Sequence, residues 1–275
     1  MRQFVLFLAL AVAAVSAHTI AQPGFPEGRI INGYDAQPGE APYIVSLQTT
    51  EGATFCAASI IRADVLLTAA HCLTKASYLA VAAGHSRSNP EDTQVREVSR
   101  SRQLIHESYP GTAGPYDIAL IFLETPFELN AISRDGFAPV STIALPPKQL
   151  PGTTSGTLYG WGKDGSKGLP DTLQKLDVDI LDYETCLAAM PEYSKVVDSN
   201  VCTHKAGTTD GACNGDSGGP LISRSADGTA YQVGVVSWGY VPCTLTKYPS
   251  VYTSVYAFNS WINQHINDFS NEGRS

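Results

Sequence analysis

The chain has 275 residues, 43% of them hydrophobic and 16% charged, with a formal net charge of -8. That balance argues against a disordered chain and is ample for a buried core. The acidic excess repels phosphate backbones and argues against a nucleic-acid partner, and no basic run or basic amphipathic helix offers itself to a membrane.

In chain order, Arg2 precedes an apolar run from Phe4 to Val15, and Val15-Ser16-Ala17 supplies the small residues of a signal-peptidase site. The run is shorter than the roughly 20 residues a bilayer span needs, so residues 1–17 read as a cleaved secretory signal, with an N-terminal membrane anchor as the alternative. Residues 18–29 hold two prolines and two glycines and end at Arg29, followed by Ile30-Ile31-Asn32-Gly33. We read them as an exposed pro-peptide, with Arg29 as a cleavage site for a trypsin-like protease; an ordinary loop arginine is the plain alternative.

From Ile30 onward, short Val-, Ile- and Tyr-rich runs alternate with Gly, Pro, Asn and Asp clusters. Examples are Tyr43 to Leu47, Val65 to Thr68, Asp117 to Leu123 and Tyr231 to Val236. This texture predicts an all-β sandwich or barrel. Residues 130–151, with Pro139, Pro146, Pro147 and Pro151, read as a linker between two β units. Near the end, Val255, Phe258, Ile262, Ile266 and Phe269 recur at spacings of three and four, which predicts a helix packed on the body. The six cysteines, Cys56, Cys72, Cys186, Cys202, Cys213 and Cys243, all follow the signal. An oxidising compartment makes them disulfides, with the pairing left open. No Cys-x-x-Cys pair or nearby histidine spacing favours zinc, and no metal or cofactor is expected.

Chemistry concentrates at Ser217 in Gly215-Asp216-Ser217-Gly218-Gly219-Pro220. A serine hydroxyl needs a base beside it and amide donors for the oxyanion, and flanking glycines let the backbone turn sharply enough to provide them. A glycine-rich surface turn is the plain reading. The same residues also fit the nucleophile elbow of α/β-hydrolases, but that fold needs an acid and then a histidine downstream. The only downstream histidine is His265, inside the predicted helix, and no βαβ alternation precedes the serine.

Upstream, His71 lies in LTAAHC and Asp117 in DIAL, which supplies the order histidine, aspartate, serine. With the IING segment after Arg29, GDSGGP, and Ser237-Trp238-Gly239, five motifs fall in register. The chain therefore resembles the trypsin/chymotrypsin family of serine proteases from Arg29 to the terminal helix. The resemblance implies two packed six-stranded antiparallel β-barrels, about residues 30–140 and 141–275, the second followed by the C-terminal helix. It implies that Ser217 attacks the peptide carbonyl, that His71 is the base and Asp117 its orienting partner, and that the amides of Gly215 and Ser217 form the oxyanion hole. It implies that the α-amino group of Ile30, freed by cleavage after Arg29, pairs with Asp216. It also implies disulfides Cys56–Cys72, Cys186–Cys202 and Cys213–Cys243. His18, His85, His106, His204 and His265 receive no catalytic role.

By the same resemblance, Gly211, Gly239 and Ser250 shape the pocket for the residue before the cut. Trypsins carry aspartate where this chain has Gly211, and a neutral glycine cannot hold a buried cation. Asp210 is one residue early, and a one-residue shift in extended chain turns a side chain to the other face. It reads as an outward or supporting charge. A roomy neutral pocket implies chymotrypsin-like preference for large apolar residues, with elastase-like and then trypsin-like cleavage as alternatives. Only Glu91-Asp92 follows Gly84 where related enzymes bind calcium, so calcium is not expected. The expected partners are protein or peptide substrates, an activating protease and protein protease inhibitors, with the enzyme acting as a monomer. In character the chain resembles insect digestive chymotrypsin-like enzymes, secreted and acting in a gut lumen. The alternative from another class is a protease-shaped protein with a binding role, for example toward carbohydrate.

Overall fold

The computed structural model describes residues 30, 32–87, 93–112, 114–130, 140–162, 169–204, 207–208, 210–243 and 247–272. The expected signal (residues 1–17), the pro-peptide (18–29) with Arg29, and the pair Glu91-Asp92 lie outside the described residues.

The regular elements are mostly antiparallel strands. The first set is β1 (Tyr34–Asp35), β2 (Ile44–Gln48), β3 (Thr54–Arg62), β4 (Val65–Thr68), β5 (Ser77–Ala82), β6 (Gln94–Ser99), β7 (Gln103–Ile105) and β8 (Ala119–Phe122). The second is β9 (Thr154–Gly160), β10 (Gln174–Leu181), β11 (Asn200–Thr203), β12 (Pro220–Arg224), β13 (Ala230–Trp238) and β14 (Ser250–Ser254). Helix α1 (Tyr183–Ala189) separates β10 from β11, and α2 (Asn259–Glu272) ends the chain.

Two sheets result. One runs β6-β5-β2-β3-β4-β8-β7, and the other β1-β10-β11-β14-β13-β12-β9. In the second sheet β9 also pairs with β10, which closes six strands into a barrel and leaves β1 as an outer addition. The first sheet curls without closing among the described residues. One of its two edges, β6, is occupied by side-chain bonds instead. Arg96 donates to the carbonyls of Thr125 and Pro126, and Gln94 exchanges hydrogen bonds with the main chain of Glu128. Charged residues with saturated backbone partners blunt an edge against further pairing.

Strand β1 belongs by sequence to the first unit, yet it pairs with β10 of the second. Gln174 Nε2 donates to Asp35 (2.7 Å) and Tyr34 Oη to Asp177 (2.6 Å), which fastens the crossing. The terminal helix crosses the other way. Val255, Phe258 and Ile262 are buried in the core of the first sheet, with Ile266 and Phe269 packed against it. The stripe read from sequence is thus the buried face, preceded by a single 3-10 turn at Tyr256–Phe258. Burial of each such side chain is worth roughly 1.5–3 kcal/mol. Helix α1 was not anticipated. Its start is marked by Asp182, whose side chain accepts from the Thr185 amide at 2.8 Å, a standard N-cap contact.

A smaller cluster joins the two cores. Ile44 and Tyr43 from the first unit meet Tyr159, Trp161 and Ile222 from the second, and Ser59 Oγ donates to Gln232 Oε1 in a fully buried contact of 2.5 Å.

Candidate active site

Register brings the first two candidate residues together. β4 pairs with β8 through Thr68↔Ala119, so the residues just past Thr68 face those just before Ala119. The chain leaves β4 into a 3-10 turn, Ala70–Cys72, that carries His71. A Cys56–Cys72 disulfide ties this turn to β3. Asp117 is fully buried opposite. Its Oδ1 accepts from the His71 amide (2.9 Å), and its Oδ2 contacts His71 Nδ1 (2.7 Å). A carboxylate at Nδ1 fixes the tautomer with hydrogen there and leaves Nε2 unprotonated, able to accept a proton.

Two further hydroxyls hold Asp117. Ser237 Oγ donates to Oδ2 (2.5 Å) and Thr253 Oγ1 to the Asp117 carbonyl (2.8 Å). Sequence reasoning did not find either role. Ser237 stood in a recognised motif, whereas nothing in the sequence marked Thr253.

Ser217 sits in a turn on the second unit, set against the His71 turn. Its carbonyl accepts from the Ala57 amide on β3 (2.8 Å), next to the Cys56 disulfide. Gly218 has φ 77°, and a β-carbon there would collide with Thr68 Oγ1 and the Ala57 carbonyl. Only glycine permits both the conformation and the approach of the two units. Gly215 has φ 107°, and its β-carbon would meet Gly162 Cα at 3.0 Å. Among the described residues, the amides of Gly215 and Ser217 donate to no protein atom, while those of Asp216, Gly218 and Gly219 are spent within the fold. Two amides left without a protein acceptor among the described residues, one of them the serine's own, can receive a developing oxyanion.

Asp216 is buried in a slot made by two glycines, since a β-carbon on Gly160 or Gly162 would run into its carboxylate. It accepts from the amides of Gly162 (2.8 Å) and Cys213 (2.9 Å). Burial pushes its pKa up to about 7, with the two amides pulling the other way. No Lys, Arg or His among the described residues pairs with it. Ile30 is fully buried in the core of the same barrel, with Leu158, Val236 and Tyr252.

Beside Ser217 opens a cavity of about 170 Å³. Trp238, Tyr240 and Tyr248 form part of its wall, and Gly211, Gly239 and Ser250 all line it. A β-carbon on Gly211 would lie 2.6 Å from Ser250 Oγ, so the serine hydroxyl fills the space that a larger residue at 211 would need. Gly239 has open space, its nearest neighbour being Ser250 Cα at 3.9 Å. Asp210 also lines the cavity, so it does not simply face outward; its Oδ1 accepts from Asn32 Nδ2 at 2.6 Å. His204 and Thr208 line the cavity too and were not anticipated.

The remaining disulfides join Cys186 in α1 to Cys202 in β11, and Cys213 before the serine turn to Cys243 in the cavity wall. Cys56, His71 and Cys72 lie close enough to resemble a metal cluster, but both sulfurs are consumed in a disulfide and offer no thiolate. His265 sits on α2 with Glu107 at 3.3 Å and contributes nothing to the serine turn, and the all-β architecture is not that of an α/β-hydrolase.

An oriented Asp–His pair beside a serine with free amides, at the seam of two antiparallel β units, defines the two-barrel class of serine hydrolases. The comparisons with known proteins agree. The Trypsin family matches residues 30–262. The chain is 48% identical over 274 residues to Lectizyme of Glossina austeni, covering 98% of this chain and 99% of that protein. It is 36% identical over 273 residues to Trypsin theta of Drosophila melanogaster, covering 95% and 97%. It is 38% identical over 277 residues to Trypsin Blo t 3 of Blomia tropicalis, again covering 95% and 97%. The chain belongs to the trypsin family and is a serine endopeptidase.

Proposed function

We propose that the chain is made as a secreted zymogen, is activated by cleavage after Arg29, and cuts peptide bonds through Ser217, His71 and Asp117. Ser217 Oγ attacks the scissile carbonyl while His71 Nε2 takes its proton. The amides of Gly215 and Ser217 hold the oxyanion. His71 then protonates the leaving amine, and water repeats the sequence on the acyl-enzyme. Asp117 keeps Nδ1 protonated and stabilises the imidazolium. The observation that carries this reading is the two-point contact of Asp117 with His71 beside the serine turn. The freed amine of Ile30 supplies the cation that Asp216 lacks. In this reading the setting is digestive and extracellular, the enzyme acts as a monomer, another protease activates it, and protein inhibitors oppose it.

The test is to cut after Arg29 and treat with an organophosphorus reagent. Labelling at Ser217, and loss of casein hydrolysis in Ser217→Ala, are expected; an unlabelled serine and an active alanine variant would end the reading.

For specificity, the neutral residues Gly211 and Ser250 in the cavity wall favour large apolar residues before the cut. A second reading, cleavage after Arg or Lys, draws support from Asp210 in the cavity wall. Peptides with Phe, Leu, Ala and Arg before the cut decide. Phenylalanine or leucine leading supports the first, and arginine leading supports the second.

A further inference from the structure

The residue immediately before Asp117 is held in an unusual conformation. Tyr116 has φ 61°, the left-handed region that residues with a β-carbon seldom adopt. The twist closes a tight turn in which the Ile118 amide donates to the Tyr116 carbonyl (2.8 Å), and Asp117 is the residue that this turn projects. Strain at such a place persists only where surrounding structure over-determines it.

The surroundings here are aromatic. The Tyr116 ring stacks on His106 at 4.9 Å between centroids and meets the edge of Phe258 at 5.9 Å. His106 in turn packs on Trp261 (5.0 Å) and Phe258 (5.2 Å), and its amide donates to the Ile118 carbonyl (3.2 Å). His106 Nδ1 accepts from the Ser108 amide (3.1 Å), which fixes the ring's orientation. Next to it, Glu107 accepts from Trp261 Nε1 (3.0 Å) and lies 3.3 Å from His265 Nε2. Trp261 and His265 belong to α2, so the terminal helix clamps the turn from behind while Ser237, Thr253 and His71 hold Asp117 from the front.

We propose that Tyr116 is a positioning residue for Asp117, held by a cage of His106, Phe258 and Trp261 that makes the C-terminal helix part of the catalytic apparatus. The proposal rests on the reading of Asp117 as the partner of His71.

The test uses the full chain after activation, with Tyr116→Phe, Tyr116→Gly and Tyr116→Ala. Phenylalanine keeps the stack and should retain kcat within twofold. Glycine tolerates the positive φ but loses the ring, so its thermal midpoint should stay near that of the unaltered enzyme while kcat falls by about tenfold at unchanged KM. The acid limb of the kcat/KM profile should move to lower pH in the glycine and alanine variants, because a displaced Asp117 stabilises protonated His71 less. A purely structural role would lower the midpoint and leave that limb in place. Glycine and alanine variants with full kcat and an unmoved limb would overturn the proposal. Asp117→Asn run alongside separates the two levels. An active Asp117→Asn enzyme refutes the triad itself, whereas an inactive one beside a fully active Tyr116→Gly enzyme refutes only the clamp.

Discussion

Asp216 makes a prediction whose sign reverses on cleavage. In the uncut chain its carboxyl is buried and raised from 3.8 to about 7. A carboxyl whose folded pKa lies above its unfolded value binds more protons when folded, so stability falls as pH rises between the two values. At roughly 1.4 kcal/mol per pH unit, the charged group costs the fold about 4 kcal/mol above pH 7 and nothing below pH 4. Asn is a permanently neutral analogue. Its Nδ2 cannot accept one of the two amide hydrogen bonds that Asp216 receives, which costs about 1–3 kcal/mol at any pH. In the uncut chain, kept inert by Ser217→Ala, Asp216→Asn should therefore stabilise by about 1–3 kcal/mol at pH 8 and destabilise by a similar amount at pH 4. About 2–4 °C per kcal/mol for a domain of this size turns the pH 8 gain into a rise of about 2–12 °C. If the freed Ile30 amine pairs with Asp216 as proposed, the same substitution after cleavage strands that ammonium, and loss of one partner from a buried ion pair destabilises by about 3–5 kcal/mol. Calorimetry of four samples, each variant cut and uncut, at both pH values, is sufficient. A change of the same sign in cut and uncut chains at pH 8, or no change in either, would refute the assignment of Asp216 as the charge that receives Ile30.

Other outcomes follow from the site's geometry. Ser237→Ala removes the 2.5 Å contact to Asp117 and should lower kcat about tenfold with KM within twofold, read from steady-state kinetics. Gly211→Asp alone should lose about 1–3 kcal/mol by crowding Ser250 Oγ, without gaining cleavage after arginine. Paired with Ser250→Gly it should raise the Arg-over-Phe ratio at least about tenfold on the peptide panel. Gly218→Ala should yield no Ser217 labelling, because its β-carbon collides with Thr68 Oγ1 and the Ala57 carbonyl of the first unit. Gly228→Ala, with φ 86° but open space, should lose only about 1–2 kcal/mol in a denaturant titration.

What the sequence made legible was local. Alternating or continuous apolar runs delimited β4 to the residue and β2, β8 and β13 within two or three, and the stripe from Val255 to Phe269 identified the buried face of α2. Long-range placement was less visible. Nothing in Tyr34–Asp35 says that it pairs with β10, because two residues carry no period and the fastening comes from Tyr34 and Asp35 side chains. Helix α1 is too short to show a stripe, and its Asp182 cap lies directly after a strand of the barrel. Neighbouring side chains face opposite ways only in extended chain. Residue 210 belongs to no strand, so that alternation does not apply, and Gly211 and Asp210 both reach the cavity wall. The hydroxyls on Asp117 were hidden for a related reason: Ser237 and Thr253 are far from it in sequence and arrive on β13 and β14, strands of the other unit.

That last point explains why the seam is conspicuously polar in its depth. His71 and Asp117 come from the first unit, and Ser217, Ser237 and Thr253 from the second. The site exists only while the two units hold one relative position. Apolar contacts such as those of Tyr43, Tyr159 and Trp161 supply adhesion but tolerate sliding. Buried hydrogen bonds do not, since a displaced buried donor or acceptor costs about 1–3 kcal/mol. Ser59 to Gln232, Ala57 to Ser217, and Thr253 to Asp117 each span the seam with one partner on either side. These contacts therefore set register between the units, and the aromatic cage behind Tyr116 extends the same constraint to the terminal helix, which grips the first sheet after the chain has completed the second.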